Sequence, residues 1–249
     1  MKLLGAAIAI CGVLLCCGAN MQAQGAISAS GPIVIIPPAL RTVVGEPYSA
    51  TFEEEMSQIL ADGTHIERHT LTQKQYRDSQ GRTRTEEYIV DPAILNADLK
   101  IPSSITIRDP AARATFVLNP RERTARQLLP PKRPDLAPIS PQAAEVRRQA
   151  EALRPHIERE DLGAQTIDGL YATGMRSTAI IPIGAQGNDG PIAVVTEIWA
   201  SPDLAINVLV KTSDPRGGDH TIRLTNIDRS EPEPSLFEIP ADYTIVQPQ

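Results

Sequence analysis

Residues 48–90 decide the fold, and they read YSATFEEEMSQILADGTHIERHTLTQKQYRDSQGRTRTEEYIV. Two turn sequences, Asp62-Gly63 and residues 78–81, divide this stretch into three parts. Asp62-Gly63 suits the two positive φ values of a two-residue type I′ hairpin loop, and Gly81 suits a left-handed turn position. We therefore predict three strands joined as consecutive antiparallel hairpins, at 50–60, 65–77 and 82–90.

Further strands are predicted on both sides of a proline-rich crossover at residues 129–141. Asp109-Pro110 and Asn119-Pro120 are turn starters that separate the strands of the first half. The predicted strands of the first half are 104–108, 114–118 and 124–129. Those of the second half are 162–167, 170–181, 192–200, 205–213, 220–228 and 243–246. Ser140 as N-cap and Pro141 at the first helical position predict one helix, at about 141–154.

These elements predict a mainly β (α+β) fold. The first three strands are polar on both faces for much of their length, whereas strands buried on both faces would be apolar throughout. A single curved antiparallel sheet or half-barrel of about ten strands, with the helix against its concave side, accommodates this pattern. Within one β-rich domain at 47–249, we expect a first meander (47–129), a crossover with the helix (130–158) and a second meander (159–249).

The N-terminus has the pattern of an export signal. Lys2 precedes an uncharged apolar run at residues 3–17, which is too short for a membrane-spanning helix, and the predicted cleavage follows Ala23. We therefore expect a signal peptide at 1–23, a flexible arm at 24–46 and no transmembrane segment after cleavage. The expected location is the periplasm, the cell envelope or the exterior.

All three cysteines of the chain lie inside this segment, so the mature protein has no thiol and no disulfide. Lipid anchoring through Cys16 or Cys17 is disfavoured, because Leu15 and Cys16 precede them where a small residue is usual. Stability must then come from packing alone, which a domain of this size can provide.

Composition and motifs argue against several classes of function. The formal charge is −6 and aromatic residues make up 4% of the chain, whereas nucleic-acid binding calls for basic patches and stacking rings. No Gly-x-Ser-x-Gly elbow or phosphate-binding loop is present in the sequence, so we expect neither nucleophilic catalysis nor a bound cofactor. The sequence favours a protein that is not an enzyme.

The sharpest candidate for chemistry is His65-Ile66-Glu67-Arg68-His69. On a strand, His65, Glu67 and His69 share one face, and two imidazoles with a carboxylate can bind zinc. A two-residue loop would place these three opposite Leu60, Gln58 and Met56, with Glu54 as the nearest further carboxylate. We favour the alternative of partly exposed histidines on a polar hairpin, so the three remain weak metal candidates.

The second half resembles a known group of exported proteins. The hairpin sequence Trp199–Leu204 and the ending Arg223–Ile227 followed by Leu236–Pro240 are similar to uncharacterised exported bacterial proteins. More distantly, they resemble the outer-membrane lipoprotein carriers of the LolA and LolB kind, over roughly residues 160–246. The resemblance implies a half-barrel sheet whose concave side faces an apolar ligand, and it transfers no binding residue.

Three hypotheses for function follow. The first is an exported non-catalytic binding or interaction protein, which holds an apolar ligand or an envelope protein partner in the concave face. The second is a metal-dependent hydrolase that uses His65, Glu67 and His69. The third is a structural envelope protein with no small ligand, in which side chains fill the concavity.

Overall fold

The computed structural model describes residues 42–89, 101–129 and 140–246, which form one curved open sheet and one α-helix. The strands are β1 (Tyr48–Ile59), β2 (His65–Arg77), β3 (Thr83–Ile89), β4 (Ser104–Asp109), β5 (Ala114–Asn119), β6 (Thr124–Gln127), β7 (His156–Ile167), β8 (Leu170–Ile181), β9 (Ile192–Ser201), β10 (Ile206–Asp214), β11 (Gly218–Asp228) and β12 (Thr244–Val246). Helix α1 spans Pro141–Ala152, and a short 3-10 helix spans Pro234–Phe237.

The sheet joins two meanders edge to edge. Its strand order is β12-β6-β5-β4-β3-β2-β1-β11-β10-β9-β8-β7, so the first and second halves of the chain meet where β1 pairs with β11. The strand pairs are antiparallel except that β12 runs parallel to β6. The predicted fold class is confirmed, with twelve strands among the described residues in place of about ten.

Turn residues explain the strand boundaries in the first half. The side-chain oxygen of Asp109 accepts hydrogen bonds from the N–H groups of Ala111 and Ala112, at 2.9 Å each, and Asn119 makes the same kind of turn before β6. Such local bonds favour a turn over continued strand pairing. Both predicted turn starters are thus confirmed.

The loop between β1 and β2 differs from the predicted type I′ turn. Gly63 has φ +84°, but Asp62 is not among the residues with positive φ. The N–H of Gly63 donates to the carbonyl of Leu60 and the N–H of Leu60 donates to that of Thr64, each at 2.9 Å. The connection therefore has five residues, 60–64, with one left-handed glycine in place of two left-handed residues.

Two apolar clusters lie on opposite faces of the sheet. The first cluster includes Tyr48, Ala50 and Leu224. The strand register places these three side chains on one face of the sheet, which we call the groove face. Ile105 and Leu118, of the second cluster, lie on the other face, because side chains alternate along each strand. The core is therefore divided between the two faces of the sheet.

The C-terminal segment covers the second cluster. Phe237 is buried, the Arg82 guanidinium lies 5.0 Å from the centre of its ring, and Ile239 and Tyr243 pack against the cluster. Strand β12 then pairs with β6. The Leu236–Pro240 stretch thus closes one edge of the core.

Helix α1 forms as predicted but buries little. The Oγ of Ser140 accepts a hydrogen bond from the N–H of Ala143, which confirms the N-cap. Among the side chains described in α1 only Ala144 is not exposed, and Val146 keeps 65% of its surface in solvent. The apolar residues Val146, Ala150 and Leu153 make a stripe that is too narrow and small to drive packing on the sheet. The helix therefore does not cover the sheet, contrary to the prediction.

Neither α1 nor the 3-10 helix, the helices within the described ranges, has the length and apolar character needed to cross a membrane. The predicted signal peptide, the flexible arm up to residue 41 and the crossover at 130–139 lie outside the described residues.

Candidate binding groove

The structure changes the surroundings of the His65, Glu67 and His69 trio. Because the loop has five residues, His65 pairs with Ile59, Glu67 with Ser57 and His69 with Glu55. The predicted partners Leu60, Gln58 and Met56 are therefore wrong by one residue. A shift of one residue moves a side chain to the other face, so the predicted neighbourhood does not form.

His65 and Glu67 lie at exposed positions at the end of the β1–β2 hairpin, and the side chain of His69 is outside the described part of the chain. Across residues 42–89, 101–129 and 140–246, no group of three or more His, Cys, Asp or Glu side chains is placed to hold a metal ion. The weak metal hypothesis gains no support from this geometry.

Glu54, the carboxylate expected near the trio, instead contacts His220. The Nε2 of His220 lies 2.5 Å from Oε1 of Glu54, and both side chains are about three-quarters buried, with 28% and 24% of their surface exposed. This contact could not be predicted from the sequence, because Glu54 on β1 and His220 on β11 are far apart in the chain. Their pairing became visible only with the strand order.

A groove with a volume of about 390 Å³ lies on the groove face, across β4, β3, β2, β1, β11 and β10. It spans the junction between the two meanders. The residues that line it are Thr42, Val43, Tyr48, Phe52, Gln73, Gln75, Tyr76, Arg77, Gly81, Thr83, Arg84, Thr85, Arg108, Ala205, Ile206, Asn207, Val210, Ile222 and Leu224. Its volume is in the range of pockets that hold a small ligand.

The two walls of the groove differ in chemistry. On the β1–β11–β10 side, register brings Phe52 next to Leu224 and Ile222 next to Val210, which makes an apolar wall. On the β2–β3–β4 side, Gln73, Gln75, Thr83, Thr85 and Arg108 make a polar wall. The apolar wall meets the polar wall where Phe52 on β1 pairs with Gln73 on β2. A ligand that fits both walls must itself be amphipathic.

Arg77 closes one end of the groove. It is 5% exposed, its Nε donates to the carbonyl of Glu46 at 2.9 Å, and its Nη2 donates to that of Leu204 at 2.8 Å. Its guanidinium also lies 4.8 Å from the centre of the Tyr48 ring. Burial lowers the pKa of Arg77, and the neighbouring Tyr48 and Glu46 oppose this. The side chain ties the start of β1 to the β9–β10 hairpin.

Three tyrosines, one each on β1, β2 and β3, make stability sensitive to alkaline pH. Burial raises the pKa of Tyr48, Tyr76 and Tyr88 above the ordinary value of 10.0, and Glu86 raises that of Tyr76 and Tyr88 further. An acid whose pKa is raised by folding stabilises the fold while it is protonated. That contribution is fully present below the unfolded value of 10.0 and is lost as pH rises through the folded value.

We therefore expect the free energy of unfolding to fall above about pH 10, and the Tyr88→Phe variant to lose less of it there than the wild type. Urea unfolding at neutral pH and at about pH 11 measures the difference. Equal losses in both proteins would show that Tyr88 does not contribute. Tyr171→Phe is the control, because that ring is exposed.

Sequence reasoning missed the groove, although a signal was present. In β2 and β3 the uncharged residues Gln73, Gln75, Thr83 and Thr85 alternate with charged or aromatic ones. From the sequence alone, polarity on both faces indicates solvation. The face that carries Gln73, Gln75, Thr83 and Thr85 instead lines the groove.

No protein-family model and no curated protein sequence matches the chain. Several solved structures are similar in fold. An uncharacterised conserved protein from Thermus thermophilus has 13% identity and a TM-score of 0.44, covering 82% of this chain and 91% of its own. A chain of the Pseudomonas aeruginosa MucA/MucB complex has 12% identity and a TM-score of 0.41, covering 81% of this chain and 58% of its own.

A Vibrio parahaemolyticus domain, provisionally named an outer membrane lipoprotein-sorting protein, has 9% identity and a TM-score of 0.29, covering 77% of this chain and 89% of its own. At these identities and scores the similarities assign neither a ligand nor an activity to this chain.

Proposed function

We propose that this is an exported, non-catalytic binding protein that holds an apolar or amphipathic ligand in the groove. One observation carries the proposal: the groove is open, and Phe52, Val210, Ile222 and Leu224 present an apolar wall to it. A purely structural envelope protein would instead fill this space with side chains. Apolar walls with a few placed polar groups are typical of small-molecule sites.

The same groove could take an apolar segment of an envelope protein, and this partner is the alternative occupant. A small ligand is favoured because the groove volume is that of a single small molecule, whereas stable protein interfaces bury far larger areas. Export, through cleavage of residues 1–23, and a single β-rich domain at 47–249 are part of the same proposal.

Nile red, a neutral apolar dye, tests the apolar wall. We expect it to bind the wild type and to bind the Ile222→Asn variant roughly tenfold more weakly, because an apolar contact surface is replaced by an amide. Dye fluorescence during titration gives both dissociation constants. Circular dichroism checks that the variant remains folded.

The matched control is Ile157→Asn, since Ile157 is an exposed isoleucine on β7, away from the groove. Its affinity for Nile red should equal that of the wild type. If Ile222→Asn and Ile157→Asn bind the dye alike, the groove is not the binding site and the proposal fails.

A further inference from the structure

The segment that precedes β1 is held against the β2–β3 turn, beside the groove. The N–H of Gly45 donates a hydrogen bond to the carbonyl of Ser79 at 2.9 Å. Gly81 has φ +80°, and a Cβ at this position would lie 2.8 Å from the carbonyl oxygen of Val43 and 3.0 Å from Cγ2 of Thr42. Glycine permits this close approach because it has no side chain. The point at which the segment meets the groove is therefore fixed by packing.

The chain that precedes Thr42 leads directly from the groove, because Thr42 and Val43 both line it. Eight residues separate Val34 from Thr42, and an extended chain of that length spans up to about 26 Å. Tyr48 and Phe52 also line the groove, and four residues of β1 separate them, a distance of about 13 Å. The segment upstream of Thr42 is therefore long enough to reach the apolar wall.

Residues 34–40 have the chemistry that this wall requires. They read VIIPPAL, without a charge or a side chain that forms hydrogen bonds. The apolar wall consists of Phe52, Val210, Ile222 and Leu224. Two consecutive prolines fix their own φ and disfavour a helical conformation in the residue before them, so this sequence favours an extended chain. A restricted segment loses less conformational entropy when it binds.

We propose that residues 34–40 bind along the apolar wall when no ligand is present, and that a ligand must displace them. The segment and the ligand use the same wall, so the binding of one excludes the other. A segment joined to the groove by a short linker has an effective concentration on the order of millimolar, so a weak contact is enough to occupy the wall. This inference rests on the proposed function and adds a regulation of the same site.

Nile red titration measures the competition. The full chain is expressed with its N-terminal segment, and the purified product is compared with the variant Val34→Asn/Ile35→Asn/Ile36→Asn. A groove that is free in one molecule in ten binds a ligand tenfold more weakly than an empty groove. We therefore expect the variant to bind the dye roughly tenfold more tightly than the wild type. Unchanged or weaker binding by the folded variant would overturn the inference.

The matched control replaces one valine and two isoleucines outside the groove. Val146, Ile183 and Ile245 keep 65%, 61% and 64% of their surface in solvent, and none of them lines the groove. The variant Val146→Asn/Ile183→Asn/Ile245→Asn should bind Nile red with the wild-type affinity. Dye binding that tightens equally in the control would attribute the gain to surface polarity, and the inference would fail.

A disulfide cross-link tests the position of the segment without any ligand. The expected mature chain, from Gln24, contains no native cysteine, so an introduced pair has a single pairing within one chain. We expect Ile35→Cys/Ile222→Cys to form an intramolecular disulfide under mild oxidation, as peptide mapping by mass spectrometry would show. The control is Ile35→Cys/Arg223→Cys, since Arg223 is the next residue on β11 and projects from the opposite face. It should form at least roughly tenfold less disulfide.

The cross-link also separates this inference from the proposed function. If no variant binds Nile red, the proposed function fails, and the two cysteine pairs still decide whether residues 34–40 occupy the wall. Equal cross-linking of both pairs would refute that position while the binding groove stands. A disulfide between two chains would assign the groove to the segment of a second copy and overturn the intramolecular competition.

Discussion

Replacing Gly174 with valine is expected to lower the free energy of unfolding by about 3 kcal/mol, a large loss for a single substitution. Gly174 on β8 lies directly opposite Trp199 on β9, and the indole ring covers it. A Cβ at this position would lie 2.6 Å from Cζ3 and 2.7 Å from Cε3 of Trp199. The ring must then move, and it packs against the first apolar cluster.

Urea unfolding followed by circular dichroism gives the loss of stability. Trp199 is the only tryptophan of the chain, so its fluorescence reports directly on whether the ring has moved. The control is Thr173→Val, which introduces the same valine one residue earlier, at an exposed position. We expect it to change the free energy of unfolding by no more than about 0.5 kcal/mol. If Gly174→Val were as stable as this control, the close packing of the ring on Gly174 would be refuted.

Hairpins could be predicted from the sequence because their determinants are local. A turn such as Asp109-Pro110 fixes where β4 ends and β5 begins, through bonds from the Asp109 side chain to its own next residues. The side chains of Asn119 and of the N-cap Ser140 likewise accept hydrogen bonds from N–H groups two or three residues further along the chain. The predicted bounds of β8, 170–181, agree with the structure at both ends.

The register between β1 and β2 could not be predicted from the turn motif alone. Asp62-Gly63 marked the hairpin correctly, but whether Asp62 takes a positive φ depends on how the strands on each side pair. The structure gives the left-handed conformation to Gly63, and the resulting five-residue loop moved His65 from Leu60 to Ile59. That single residue removed the predicted surroundings of the candidate metal site.

Contacts between distant strands could not be predicted at all. The pairing of β1 with β11 brings Glu54 to His220 and Phe52 to Leu224, across separations of more than half the chain. The groove is built at this junction: Leu224, Ile222 and Val210 of its apolar wall come from the second meander, whereas Phe52 and the polar wall come from the first. The alternation of polar and apolar residues along one strand shows which side chains share a face. It does not show which other strand lies beside them.

The Glu86→Ala substitution is expected to lower the free energy of unfolding by about 3 kcal/mol. The Glu86 carboxylate accepts a hydrogen bond from Nε of Arg84 at 2.8 Å and another from the Tyr88 hydroxyl at 2.7 Å. Arg84 and Glu86 are 9% and 8% exposed. Alanine would leave a buried guanidinium without its counter-charge, and removing one partner of a buried ion pair costs far more than the pair contributes.

The double variant Arg84→Met/Glu86→Leu separates this explanation from a simple loss of packing. It removes both charges, so we expect it to be more stable than Glu86→Ala in urea unfolding. It also removes the bond from Nη1 of Arg84 to the Leu236 carbonyl, 2.9 Å long, which ties the C-terminal segment to β3. Faster proteolysis near Leu236 should therefore accompany the recovered global stability. A double variant less stable than Glu86→Ala would mean that packing around Glu86, and not the unpaired Arg84 charge, determines the loss.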